Sequence, residues 1–260
     1  MNRRRFVQAS SAALTAAAAA VIPIAAAGGI PIIDAHIHLF DPTRPQGGPW
    51  PPTNSEIYKP ALPERFRRLT GSFGVRGVIE IECSPWLEDN QWVLDVAAKD
   101  RLILGTVGNL EPASPEFPKQ FERFHRNPLF RGIRYGNPWD RSLSAQLAKP
   151  VFVEGLKLVA QAGLVTDTAN PNPALIETIV RVTDKVPDLR MVIDHLPQCN
   201  PPAEPAPRAE YDRNLRRLAA QPQVYVKISQ VLRRVGGQGR VAAEKYFWKN
   251  SQAAYRWAER

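Results

Sequence analysis

From residue 31 onward, short β-branched runs alternate with longer amphipathic stretches. The strand candidates are residues 31–38, 75–82, 102–110, 131–136, 163–168, 190–196 and 223–229. Helix candidates lie between most of them, at 63–69, 90–99, 117–125, 145–162, 173–185 and 210–220. Period-2 runs alternating with period-3.6 runs predict βαβ units and one parallel sheet. Two insertions break the rhythm: residues 41–60, rich in Pro, Gly and Trp, follow the first strand, and residues 197–207 follow the sixth. In a parallel α/β barrel the loops after the strands build the active-site face, so both insertions suit a substrate pocket.

The first 27 residues stand apart. Arg3, Arg4 and Arg5 precede Phe6, an Ala-rich apolar run and the small residues Ala25, Ala26 and Ala27. This is the pattern of an export leader, and the arginine pair followed by Phe6 resembles a twin-arginine signal. The run is weakly apolar and interrupted by Pro23, which suits removal on export better than a lasting membrane span. Residues 1–27 are therefore expected to be a leader, residues 28–260 a barrel domain, and the location periplasmic or secreted, with no stable membrane insertion once the leader is gone. The net charge of +9 includes those three arginines, and the remaining basic residues are scattered through amphipathic stretches such as 65–68 and 216–217. Without an aromatic-interleaved basic stripe, nucleic acid is not the expected partner. The two cysteines, Cys83 and Cys199, allow one disulfide or two buried thiols. Oligomeric state is not legible.

The chemistry sits at strand ends. Side chains alternate across a strand, so His36 and His38 share a face, with Ile33, Ala35 and Ile37 expected on the other, toward helices. Two adjacent imidazoles at the end of a strand form a ready pair of metal ligands. By the same parity Glu80 and Glu82 share the inner face against Ile79 and Ile81. His195 ends the sixth strand opposite Asp194, and Lys227 and Ser229 point inward against Val224, Val226 and Ile228. Val192 is assigned to the helix side. For Glu80 and Lys227 a buried ion-pair network is the other reading. His125 lies in a helical stretch and should stay outside the histidine cluster.

The run Ile33-Asp34-Ala35-His36-Ile37-His38-Leu39-Phe40 resembles the first-strand motif of the amidohydrolase superfamily. With Phe130-Arg131-Gly132-Ile133-Arg134 and Val192-Ile193-Asp194-His195-Leu196, it resembles the amidohydrolase-related branch, which includes lactonases of sugar acids and of pyrone dicarboxylates. The resemblance spans roughly residues 31–230 and is specific to superfamily, not to substrate. It implies a (β/α)8 TIM-type barrel with His36, His38 and His195 at the reaction centre, as catalytic residues and candidate metal ligands. It also implies that Arg134 or Arg131 holds a substrate carboxylate.

One family feature is missing. Members close with an eighth strand carrying an Asp, whereas the last Asp here is Asp212. After Ser229 come Gly236-Gly237 and a plausible helix over 241–257, with Glu244 and Glu259 as the later carboxylates. The expectation is thus an incomplete barrel of seven strands and a shortened family member. Any divalent metal, zinc included, would be weakly held or absent. The expected activity is metal-dependent hydrolysis of a lactone or similar ester of a small acidic or sugar-acid molecule. The rival readings are a metal-dependent decarboxylase and an inactive or repurposed exported protein.

Overall fold

The computed structural model describes residues 30–229 and 244–258, so the leader lies outside the described residues. Seven strands form one parallel sheet in chain order: β1 (Ile32–Ile37), β2 (Val75–Ile81), β3 (Ile103–Gly108), β4 (Phe130–Arg134), β5 (Val165–Asp167), β6 (Arg190–Ile193) and β7 (Val224–Val226). Each pairs with the next, and among the described residues β7 does not pair back to β1. The expected α/β architecture, an incomplete TIM-type barrel, is what the chain adopts.

The helices are α1 (Pro63–Thr70), α2 (Leu87–Lys99), α3 (Phe117–His125), α4 (Leu143–Leu147), α5 (Pro150–Gln161), α6 (Pro173–Lys185) and α7 (Pro205–Ala219). The single stretch expected over 145–162 is two helices. Pro150 has no N–H to continue a helix and forces Lys149 into an extended conformation, so a new helix starts at the proline. Pro173 opens α6 in the same way, behind an Asn172 side chain that accepts from the Leu175 N–H. A π-helical turn (Lys245–Lys249) runs into α8 (Asn250–Tyr255).

Two apolar clusters divide the molecule. The larger lies between sheet and helices and takes Val78, Ile103, Ile133, Met191 and Ile193 from the strands, with Val224 packed against it. The smaller fills the barrel interior: Ile33, Ile79, Ile81, Leu104, Val165 and Val192, closed by Ala254, Tyr255 and Trp257. Ile33, Ile79, Ile81 and Val192 therefore do not face the helices as parity suggested. Both faces of a parallel barrel are buried and packed with branched residues, so apolar alternation cannot tell inside from outside. Val224 does face the helices, whereas Val226 is exposed. Glu80 is on the helix side, lining a small cavity with Asn90, Trp92 and Val93 of α2. Both cysteines are buried free thiols.

Candidate active site

β1 carries a bulge. Asp34 pairs with Val78 but Ile37 with Glu80, so three steps on β1 match two on β2. One extra residue reverses the parity partway along the strand. Ile33 and Ala35 pack in the barrel interior, Ile37 returns to the helix side, and the rings of His36 and His38 meet at 4.9 Å between centroids. His195 joins them, its ring 4.3 Å from that of His36. The three histidines named from the sequence thus meet at the C-terminal ends of β1 and β6. His125 is apart, stacked on Phe121 in α3.

Asp194 is the centre of the cluster, not its outer face. β6 ends at Ile193, and alternation from Met191 and Ile193 on the helix side puts Asp194 inside, fully buried. His195 then takes a left-handed backbone conformation (φ 50°), which turns its ring back over His36. Trp139, Asp140 and Asn170, also past strand ends, share that conformation (φ 58°, 58° and 50°). Such non-glycine residues cost roughly 1–3 kcal/mol each and gather at functional rims.

The ions interlock. Lys227 Nζ lies 2.5 Å from Asp167 Oδ2, 2.8 Å from Asp194 Oδ1 and 3.2 Å from His36 Nδ1. Arg134 places Nη2 3.2 Å from Asp194 Oδ2 and donates from Nη1 to the Glu82 carbonyl. Tyr255 OH donates to Asp167 Oδ2 (2.8 Å), and Trp139 Nε1 donates to the Glu82 carboxylate. A cavity of about 450 Å³ between β1 and β7 opens beside this cluster, lined by His36, His195, Tyr225, Lys227 and Tyr255 among others.

Of the two arginines expected to hold a substrate anion, Arg134 reaches the histidine cluster and Arg131 does not. Arg131 falls in a β4 bulge, where Thr106–Val107 of β3 match Phe130 and Gly132, and its side chain lies across Gly105. It is about 10 Å lower along the strand by the rise per residue. Its charge acts on Arg190, whose guanidinium is pushed down to about 10 by burial and by the charges of Arg256 and Arg131. Arg134 is already engaged by Asp194 and Glu82. Asp167, Tyr255 and Trp139 were not singled out from sequence, and Asp194 was assigned outward. An Asp closing an apolar run, as in Val165-Thr166-Asp167 and Val192-Ile193-Asp194, was the available signal.

The network fixes tautomers. An ammonium only donates, so His36 Nδ1 must accept from Lys227 and its proton sits on Nε2, which is buried and without a partner. His38 is the converse: Nδ1 donates to the Ile81 carbonyl (2.8 Å), leaving a lone pair on Nε2. Burial, aided by Lys227, lowers the pKa of His36 to about 3. Burial outweighs the Ile81 hydrogen bond and lowers His38 to about 4. Both rings are neutral at pH 7. Burial would raise Asp194, but Lys227, His36 and Arg134 hold it below the ordinary carboxylate range. Burial carries Asp167 up to about 6, against Lys227.

A pH dependence follows for His38. In the unfolded chain its pKa is near 6.5 and in the folded chain about 4, so between those values the unfolded state binds the extra proton. Its contribution is intact above pH 6.5 and shrinks as pH falls toward 4. Between pH 7 and 5 the wild type should lose up to about 2 kcal/mol that a His38→Gln variant keeps. Urea midpoints of both proteins at the two pH values check this, and parallel changes would refute a buried neutral His38.

A divalent ion fits this arrangement poorly. Among the described residues no three His, Cys, Asp or Glu side chains stand so as to hold one. The carboxylates that could do so already face Lys227 and Arg134, and the His36 nitrogen nearest them accepts from Lys227.

Comparison with known proteins gives this geometry a setting. The profile of the amidohydrolase family matches residues 33–259. An L-fucono-1,5-lactonase of Burkholderia ambifaria is 29% identical over 200 residues, covering 76% of this chain and 67% of that protein. A zinc-bound amidohydrolase from Burkholderia multivorans superposes with a TM-score of 0.64 at 19% identity, over 86% of this chain and 80% of that one. A probable 2-pyrone-4,6-dicarboxylic acid hydrolase from Acinetobacter baumannii, with citric acid bound, gives 0.59 at 18% identity, over 86% and 77%.

Proposed function

Because this chain belongs to the amidohydrolase family, we propose that it hydrolyses the ester bond of a lactone derived from a small sugar acid. The observation that carries the reading is the complementary pair of neutral imidazoles: His36 presents Nε2–H and His38 presents an Nε2 lone pair, on rings 4.9 Å apart. The 29% identity to a sugar-acid lactonase supports the substrate class.

In this reading the lactone carbonyl oxygen accepts from His36 Nε2–H, which stabilises the charge that builds there on attack. His38 Nε2 takes a proton from the attacking water. The C–O bond of the tetrahedral adduct then breaks, the ring oxygen takes the proton that His38 gained, and the product is a hydroxy acid. At neutral pH that acid ionises, so each turnover releases one proton. His195, whose Nδ1 is buried and unpartnered, lines the same cavity as His36 and orients the substrate. Arg134 touches substrate only while still holding Asp194. No step is routed through a metal, since the carboxylates are taken by Lys227 and Arg134. Residues 1–27 fit export of the protein before it acts.

The test is a pH-indicator assay on a panel of aldonolactones and 2-pyrone-4,6-dicarboxylate, with parallel measurement of carbon dioxide from hydroxybenzoates. Stoichiometric proton release from a sugar-acid lactone supports the proposal. Decarboxylation without ring opening, or no turnover of any lactone above the uncatalysed rate, defeats it.

A further inference from the structure

We propose that Lys227 is the built-in cation of this centre, its ammonium taking up the donors that a divalent metal would need. The ammonium hydrogen-bonds to Asp167 Oδ2 at 2.5 Å and His36 Nδ1 at 3.2 Å and ion-pairs with Asp194 Oδ1 at 2.8 Å. They come from β5, the end of β6 and β1, so three separate strands converge on one nitrogen. Two oxygens and an imidazole nitrogen are the donor types zinc takes, at about 2.0–2.2 Å. As they stand, drawn around the ammonium, these three side chains do not form a metal site; removing Lys227 is what would free them to close on an ion.

Charge balance leads to the same conclusion. Lys227 and Arg134 face Asp194, Asp167 and Glu82, two positive groups against three negative ones, all at most about one-eighth exposed. A divalent ion entering this cluster would turn its net charge positive and stand within a few ångströms of two buried cations, with little water to screen them. At a few ångströms each unscreened like-charge pair is worth several powers of ten in affinity even at an effective dielectric constant of about 20. Tyr255 adds to the lock, donating to the same Asp167 oxygen that Lys227 grips.

The inference stands apart from the lactonase reading, because its test reads metal and not turnover. The wild-type protein, Lys227→Met and Lys227→Arg are incubated with excess zinc, desalted into metal-free buffer and analysed for metal content. Dissociation constants then come from competition with a chromophoric chelator. The wild type and Lys227→Arg should retain far less than one zinc per chain. Lys227→Met should retain close to one and bind it about 1,000-fold more tightly than the wild type. A His36→Ala change added to Lys227→Met should release it. Stoichiometric, tightly held zinc in the wild type overturns the proposal, as does a Lys227→Met protein that binds no better. Zinc retained in the His36→Ala double variant also overturns it, by placing the ion elsewhere. Should Lys227→Met fail to fold without metal, the wild type and Lys227→Arg still decide, and zinc-dependent folding of Lys227→Met counts as gained binding.

Discussion

Replacing His38 by glutamine should lower kcat/KM for lactone hydrolysis by about 10²–10⁴-fold, the usual contribution of a positioned general base. The loss should fall on kcat. His38 Nδ1 is tied to the Ile81 carbonyl, so Nε2 is the atom with a lone pair to offer, and a glutamine amide can hold the backbone contact without accepting a proton. His36→Gln should be milder. The glutamine NH₂ still donates where His36 Nε2–H did, and its carbonyl can accept from Lys227. The ranking is the sharp part of the prediction. If His36→Gln proves the more damaging, the tautomers inferred from Lys227 and Ile81 are the wrong way round. Matched urea midpoints at pH 7 would show that the difference is chemical and not a loss of fold.

The same two histidines show what sequence could and could not say. The HxH spacing on an apolar run announced a pair of imidazoles sharing a face, and they do. It also implied that Ile33 and Ala35 sit on the opposite face, which the β1 bulge prevents. Strict period-2 counting survives only where no residue is inserted, and here β1 and β4 each place the insertion beside a residue of interest. The β4 bulge turns Arg131 over Gly105, so the two arginines of one motif end in different surroundings.

Asp167 and Asp194 escaped for another reason. Each ends a strand buried on both faces, so neighbouring side chains carried no sign of which way the carboxylate pointed. Only their distant partner Lys227, 60 and 33 residues further on, determines that, and pairing of this kind belongs to topology. Element order, by contrast, was nearly all legible. Seven apolar runs separated by amphipathic stretches leave a parallel sheet with consecutive strands adjacent as the simplest arrangement, and right-handed crossovers curl it toward a barrel. The role of the C-terminal stretch was not legible. Ala254, Tyr255 and Trp257 read as one face of an ordinary helix, yet they pack in the barrel interior against Ile33 and Val192.

Truncating Asp194 to alanine should destabilise the protein by about 3–5 kcal/mol at pH 7, among the largest losses any single change here would cause. The carboxylate is fully buried and faces Lys227 at 2.8 Å and Arg134 at 3.2 Å. Removing it deletes the counter-charge of two buried cations at once and leaves a gap lined by polar atoms. Lys227 would retain Asp167 and Arg134 would retain Glu82, so the fold should survive in weakened form. Asp194→Asn should cost less, because its amide oxygen can still accept from Lys227 or Arg134 and little volume is lost. Folded-state pKa gives the comparison its sign. Asp194 is held below its unfolded value, so its ionised form contributes stability above about pH 4, and that contribution declines as pH falls through and below that value. The wild-type advantage over Asp194→Ala should therefore be full at pH 7 and narrow at pH 3. Urea melts at both pH values, with unchanged m, measure it. An Asp194→Ala protein as stable as the wild type at pH 7 would mean that the Lys227–Asp194–Arg134 cluster does not hold the strand ends together.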